Sequence, residues 1–186
     1  MRRVYLESHR LVLRYFEDVE EDAQRLYHLD LDPEVRRYVH EPEPDRERIR
    51  NVVLPRLAGC ADRDDGYGLW AAEEMASGRF LGWFHLRPGE ATPSEIELGY
   101  RLRRESWGRG LATEGAAALV VQGFERLGSA RIVAFALPTN AASIRVMEKV
   151  GLRFECNTLL PTGEETVKYS MSRDDYVRRR QGGNAL

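Results

Sequence analysis

A chain of 186 residues fits one folding domain with enough length to bury a core. Its 42% hydrophobic and 31% charged content is ordinary for a globular protein, and a net charge of −2 supplies no general attraction to nucleic acid or to a membrane surface. No window approaches the roughly 18 apolar residues of a membrane span, and Cys60 and Cys156, far apart and without metal-ligand spacing, read as free thiols of a reducing compartment, with their pairing left open.

The opening Met1-Arg2-Arg3-Val4-Tyr5-Leu6-Glu7 has no apolar stretch of signal-peptide length, so a cytoplasmic location is expected. Leu11, Leu13 and Tyr15 alternate with Val12, Arg14 and Phe16, the pattern of a strand. The acids from Glu17 to Asp22 then suit the positive end of a helix whose apolar side carries Leu26, Tyr27 and Leu29. Asp32-Pro33 is expected to cap a second, short helix. Asp45 to Ala61 reads as a third, with Ile49, Val52, Val53, Leu57 and Ala58 on one face and Pro55 as a kink or interruption.

From residue 67 the period shortens. Tyr67 to Glu73 and Phe80 to Arg87 are strand-like runs joined by a turn at Met75-Ala76-Ser77-Gly78, and Ile96 to Leu102 is a third run. A glycine-containing loop follows, then an apolar helix from about Leu111 to Leu127 with Gly128 at its end. Ile132 to Leu137 is a strand, Ala141 to Val150 a helix closed by Gly151, and Phe154 to Cys156 and Thr166 to Met171 are strands around Pro161-Thr162-Gly163. The tail from Arg178 to Asn184 is expected to fray, which puts the domain at 1–174 and a tail at 175–186. This β-α-α-α-β-β-β-α-β-α-β-β order predicts a single α/β (α+β) domain, a mixed sheet flanked by helices, with a parallel crossover only between 96 and 137.

Gly108 and Gly110 stand just before the long helix. Without β-carbons their amides can approach an anion, and the helix adds unpaired first-turn N–H groups and its dipole. Arg101, Arg103, Arg104 and Arg109 lie beside the loop with only Glu105 against them in the local sequence. The third glycine of a dinucleotide fingerprint and the Gly-Lys-Ser/Thr of a P-loop are missing. The loop by itself therefore reads as a phosphate site, or as a plain strand-to-helix turn.

The segment Trp107 to Glu114, Trp-Gly-Arg-Gly-Leu-Ala-Thr-Glu, resembles the acetyl-CoA signature of the GCN5-related N-acetyltransferase (GNAT) superfamily. On the pattern Gln/Arg-x-x-Gly-x-Gly/Ala, Gly110 and Ala112 match and Trp107 replaces the expected Gln or Arg. Asn140-Ala141-Ala142-Ser143 with Val146-Met147-Glu148-Lys149-Val150-Gly151-Leu152, and the earlier Leu11-Val12-Leu13-Arg14 and Asp32-Pro33-Glu34-Val35, are similar to the branch containing the ribosomal-protein N-terminal acetyltransferases. The likeness spans most of residues 9 to 172. It implies a single-domain GNAT fold, mostly antiparallel, in which strands four and five splay to admit acetyl-CoA, without metal. It further implies that the amides of Trp107, Gly108, Arg109, Gly110, Leu111, Ala112 and Thr113 hold the pyrophosphate, with Arg103 nearby. Leu98, Gly99 and Tyr100, within the stretch from Ile96 to Arg101, would pair with the pantetheine arm and supply the oxyanion contact.

Amide formation needs a neutral amine, hence a proton acceptor. Glu97, out of phase with Ile96 and Leu98, is the leading base, a role that a carboxylate on this strand commonly plays in the family. Its other reading is a solvated charge, and Glu95 is the substitute. Asn140 and Ser143 match the family's CoA-side motif, while Asn140 also suits a helix N-cap. Ser143 is the candidate proton donor to the thiolate, because Met147 occupies the position of the family's acidic Tyr; Tyr169 or water are the alternatives. Arg145 would meet the 3′-phosphate or lie solvated on its helix. His9, His28, His40 and His85 share no metal spacing, and Trp70 and Trp83 read as sheet packing.

The acceptor expected from the branch is an amine-bearing protein or peptide N-terminus. A small-molecule amine (polyamine, amino acid or aminoglycoside) is the alternative, with Glu41, Glu43, Asp62, Asp64 and Asp65 available to line an acidic site. A catalytically silent CoA-binding module is the third reading. The sequence leaves oligomeric state open, a homodimer included.

Overall fold

The computed structural model describes residues 2–39, 42–63, 65–89, 92, 94–160 and 163–182. His40, Glu41, Asp64, the Pro161-Thr162 part of the last turn and the Gly183-Asn184 end of the tail lie outside the described residues. The chain forms two compact units, one of Met1–His85 with Tyr100–Ala112 and the other of Leu86–Gly99 with Thr113–Leu186.

In the first unit β1 (Val4–Glu7) and β2 (Leu11–Tyr15) pair antiparallel, and β2 pairs antiparallel with β3 (Gly68–Glu74), Tyr15 opposite Trp70. Leu11, Leu13 and Tyr15 are buried, as their alternation predicts, but Arg14 is buried too, at 1% exposure. Its guanidinium donates to Asp22 (2.6 Å) and Glu73 (2.8 Å), and Arg25 donates to Asp22 at 2.8 Å. Asp22 also accepts the Glu17 amide at 2.9 Å. Burial alone would neutralise these groups. The hydrogen bonds and opposite charges of Asp22 and Glu73 outweigh it and hold Arg14 above its ordinary value. Asp22 stays below the usual carboxylate range against the same burial, through Arg14 and the Glu17 amide.

The helix α1 (Glu20–Leu31) turns Ala23, Leu26 and Leu29 inward onto Phe16, Val35, Ile49, Leu54, Ala71 and Phe80. Asp32 caps α2 (Pro33–Arg36) by accepting the Glu34 amide, with Pro33 in the first turn. The segment expected as one helix from Asp45 is broken into α3 (Arg46–Arg48), a π turn over Ile49–Val53, α4 (Leu54–Ala58) and a 3₁₀ turn over Gly59–Asp62. Pro55 has no N–H to return to the carbonyl four residues back, and the adjacent Leu54 amide reaches five residues back to Ile49.

Three elements run from one unit into the other: β4 (Phe80–Pro88), β5 (Glu95–Leu102) and α5 (Leu111–Glu125). The second unit adds β6 (Arg131–Ala136), α6 (Ala141–Lys149), β7 (Arg153–Leu159), β8 (Glu165–Ser172) and α7 (Arg173–Gln181). Gly123 lets α5 approach β6 closely, since a β-carbon there would stand 2.7 Å from Ile132 Cδ1. The strands hydrogen-bond in the order β1-β2-β3-β4-β5-β6-β8-β7. The β5–β6 step is parallel and the β6–β8 and β7–β8 steps are antiparallel. This is the expected mixed, mostly antiparallel sheet with flanking helices, with β1 added.

The β5–β6 ladder holds only the pairs Glu95↔Arg131, Ile96↔Ile132 and Glu97↔Val133. β6 stays paired with β8 to Ala136, whereas Leu98 and Gly99 continue β5 with no pair on β6 among the described residues. The parting expected at strands four and five falls here, on strands that become β5 and β6 once β1 is counted.

The tail expected to fray from Arg178 is helical through Gln181. Ser172 caps α7 by accepting the Asp175 amide at 3.1 Å. Tyr176 is buried against Phe124, their centroids 4.7 Å apart, and its hydroxyl donates to Glu125 at 2.8 Å. These are tertiary anchors, and the polar local sequence carries no sign of them.

Candidate active site

A 3₁₀ turn over Arg104–Ser106 follows β5, and its last amides close back: Ser106 N–H donates to Arg103 O and Trp107 N–H to Arg104 O. The Trp107 amide, expected among the phosphate donors, is thus engaged within the turn. Its half-exposed indole donates to Leu102 O at 2.8 Å, which ties the loop to the strand end. Gly108 and Gly110 adopt φ of 71° and 77°, conformations that glycine enters without penalty. A β-carbon at Gly108 would meet no atom within 4 Å, so the loop is open on that side. The Arg109 carbonyl accepts from Arg10 Nη1 at 2.9 Å, and Leu111 is buried, which anchors the start of α5. The remaining loop amides lead into first-turn N–H groups that have no intrahelical acceptor. Left-handed glycines running into a helix N-terminus fit a pyrophosphate.

The loop arginines do not stand against Glu105 alone. Arg101 donates to Asp30 at 2.6 Å, Arg103 pairs with Glu105 at 3.4 Å and Arg104 with Asp32 at 3.8 Å. Arg109 donates to Glu74. Hydrogen bonds from the Ser77 hydroxyl and the Arg109 guanidinium hold the Glu74 carboxyl down at about 2. Three of these acids come from α1, the start of α2 and β3, and local sequence gave no sign of them. The charge beside the loop is therefore closer to balance than its sequence indicates.

In the second unit Glu97 accepts from Arg87 Nη2 with both carboxylate oxygens, at 2.8 and 3.0 Å. Glu95 is held differently, by Lys168 Nζ at 3.0 Å to both oxygens and by Arg131 at 3.4 Å. Lys168 and Arg131 also reach Glu155, at 3.4 and 2.7 Å. Burial opposes the charge on Lys168, but Glu95 and Glu155 outweigh it and its ammonium titrates above the ordinary value. Glu95 belongs to this network, whereas Glu97 is held by Arg87. Arg87 was not singled out from the sequence; it lies on the preceding strand, ten residues before Glu97.

At α6, Asn140 Oδ1 accepts the Ser143 amide at 3.1 Å, a helix N-cap. Ser143 is half-buried one turn in, and Arg145 is exposed. Met147, where the family's acidic Tyr is expected, is 2% exposed and carries no proton to give. Burial and the neighbouring Glu148 raise the Tyr169 hydroxyl, which donates to Glu148 at 3.4 Å. Of the three alternatives for thiolate protonation, Tyr169 is thereby committed elsewhere.

A cavity of about 380 Å³ opens inside the first unit. Leu26, Ile49, Val53, Leu57, Leu69 and Trp83 form its apolar wall, and Asp30, Arg36, Glu43, Asp45, Arg48 and Arg101 its charged rim. Trp83 stacks on His85, centroids 5.7 Å apart, and carries Arg101 over its ring at 5.1 Å. Of the acids expected to make an acidic acceptor site, Glu43 lines the cavity; Asp62 and Asp65 do not. His9 and His28 are exposed, and both thiols are free. No described helix is long and apolar enough to cross a membrane.

Residues 10–153 match the family model described as an acetyltransferase (GNAT) domain. The FsC-acetyl coenzyme A-N(2)-transacetylase of Aspergillus fumigatus is 34% identical over 164 residues, which cover 81% of this chain and 69% of that protein. A GNAT-family acetyltransferase structure from Bacillus anthracis superposes with a TM-score of 0.78 at 23% identity, over 91% of this chain and 98% of that one. The aminoglycoside acetyltransferase AAC(6′)-Ib in complex with coenzyme A superposes with 0.74 at 20% identity, over 91% and 99%. These two likenesses establish the fold.

Proposed function

The chain belongs to the GNAT acetyltransferases, N-acetyltransferases that use acetyl-CoA, and we propose that it acetylates a primary amine by direct attack, with the donor held at the Gly108–Ala112 loop. The observation that carries this reading is the pair of left-handed glycines, open on one side, running straight into α5. Amides from Gly108 to Thr113 and the helix dipole hold the pyrophosphate. Arg103 and Arg109 exchange exposed carboxylate partners for phosphate oxygens, and Arg145 meets the 3′-phosphate. Leu98, Gly99 and Tyr100, where the ladder to β6 has ended, pair with the pantetheine arm. Their backbone N–H groups donate to the thioester oxygen as charge builds there.

The amine nitrogen forms the new C–N bond as the C–S bond breaks. Its proton passes to Glu97 through a water on the carboxylate edge, because Arg87 already occupies the direct approach to both oxygens. Ser143, on the first turn that Asn140 caps, returns a proton to the thiolate. The branch resemblance favours a peptide N-terminus as acceptor. The N(2) in the name of the A. fumigatus relative, FsC-acetyl coenzyme A-N(2)-transacetylase, supports a small molecule as the second reading. Incubation with acetyl-CoA, a thiol reporter and a panel of peptides and small amines tests the proposal. Amine-dependent thiol release is expected, and binding of acetyl-CoA without turnover on any amine would leave a silent module instead.

A further inference from the structure

We propose that the cavity of the first unit holds the apolar body of the acceptor while Arg101 holds a carbonyl or carboxylate oxygen beside its amine, so that the acceptor is an α-amino carbonyl compound and not a polycation. This rests on the acetyltransferase reading for the reacting amine, and on the cavity for the rest.

Charge balance carries the argument. Among the described residues, Asp30, Glu43 and Asp45 stand against Arg36, Arg48 and Arg101 on the rim, three of each sign. Asp30 is paired with Arg101 at 2.6 Å and Glu43 with Arg36 at 3.4 Å, while Asp45 caps the turn at the Arg48 amide. A site for a polyamine or an aminoglycoside needs surplus negative charge to replace the solvation of several ammonium groups. This rim has none. Size agrees: about 380 Å³ is near the lower end of the roughly 300–1,000 Å³ of small-molecule pockets, room for one apolar side chain and its head group.

Arg101 is the group built to read an oxygen. The Trp83 ring supports its guanidinium on one side and Asp30 fixes it from another, so a rotamer-rich side chain is already ordered before a ligand arrives. It lies two residues beyond Gly99 along β5. Asp30 acts as a positioning residue for Arg101. An amine with the same apolar body and no carbonyl leaves Arg101 without a ligand oxygen, which is how a site built to hydrogen-bond discriminates.

Leucinamide, a tripeptide beginning with leucine, isoamylamine and spermidine are the probes. Each is titrated calorimetrically into the protein saturated with CoA and assayed for thiol release with acetyl-CoA. Leucinamide and the tripeptide should exceed isoamylamine by about tenfold or more, the discrimination that one hydrogen bond to a charged group allows, and spermidine should rank last. Whichever of the first two wins identifies the source of the head group. In Arg101→Gln the leucinamide-to-isoamylamine ratio should collapse toward that of the amines' own basicity, which cancels when variant and parent are compared. Val53→Trp fills the cavity from a half-buried wall position and should raise KM for both apolar amines; its acetyl-CoA affinity reports whether it is folded. A preference for spermidine, or a ratio that survives Arg101→Gln together with a KM unmoved by Val53→Trp, overturns the proposal. Leucinamide binding that Val53→Trp abolishes, with no amine ever acetylated, would keep the pocket assignment and remove the transferase reading.

Discussion

Around Arg14 and around the loop that opens α5, the first unit uses the same chemistry, an arginine against a carboxylate, at opposite extremes of burial. Arg14 and Asp22 are each 1% exposed and are joined by Glu73 and Arg25. Arg104, beside the loop, is 63% exposed and 3.8 Å from Asp32. In the first setting neither charge can be re-solvated without unfolding, so the cluster fixes β2, α1 and β3 to one another. In the second, water and salt compete for the pair, and a phosphate oxygen can displace a carboxylate at little loss. Burial converts one interaction into a structural tie and leaves the other as an exchangeable counterion.

Breaking the buried set should have the largest effect. Arg14→Leu leaves Asp22 and Glu73 without their central partner and should cost about 3–5 kcal/mol, read as a lower urea midpoint with an unchanged slope. The same cluster makes stability depend on pH. Asp22 titrates below its ordinary value when folded. Its contribution is therefore complete above about pH 4 and disappears as pH falls through the folded value. Acid unfolding curves of the parent should steepen in that window, and a flat profile there would remove the cluster from the account.

Glu97→Gln should lower kcat by about a hundredfold, the lower range for a lost proton acceptor, with acetyl-CoA affinity unchanged. The loss should be most visible below the acceptor's own pKa, and parental turnover would take Glu97 out of the mechanism. Asn140→Ala removes the acceptor for the Ser143 amide and should destabilise by about 1 kcal/mol in thermal melts; no change would mean that α6 does not depend on its cap. Glu74→Gln sharpens the comparison from the exposed side. It releases Arg109, should alter stability by less than about 0.5 kcal/mol, and should tighten acetyl-CoA binding a few-fold. A loss of several kcal/mol would show this pair to be structural after all.

The elements carried by period and punctuation were legible in the sequence. Ile96 to Leu102 as a strand, the helix from Leu111, and Asn140 as a cap each rest on residues within one turn or one pleat of one another, and the structure has them at β5, α5 and α6. What was illegible depends on distance along the chain. Glu74, Asp30 and Asp32 reach the loop arginines from far upstream, so a local charge count overstated the cationic field. Arg14 reads as an outward strand residue until Asp22 and Glu73 are brought to it. The helix α7 has a polar sequence with Tyr176 as its buried contact and is held by Phe124 and Glu125, and β1 is a short edge strand. Within the site, the Trp107 amide was assigned to phosphate because the 3₁₀ turn that consumes it leaves no signature in sequence.

Calorimetric titration of acetyl-CoA into the parent protein and into Gly110→Asp tests the central claim most directly. A carboxylate at residue 110 would bring like charge, and a side chain at φ 77°, to the face proposed to hold the pyrophosphate. The account predicts salt-sensitive binding by the parent and a loss of at least a hundredfold in the variant, which still unfolds in one cooperative transition. Equal affinity in the two proteins would contradict it.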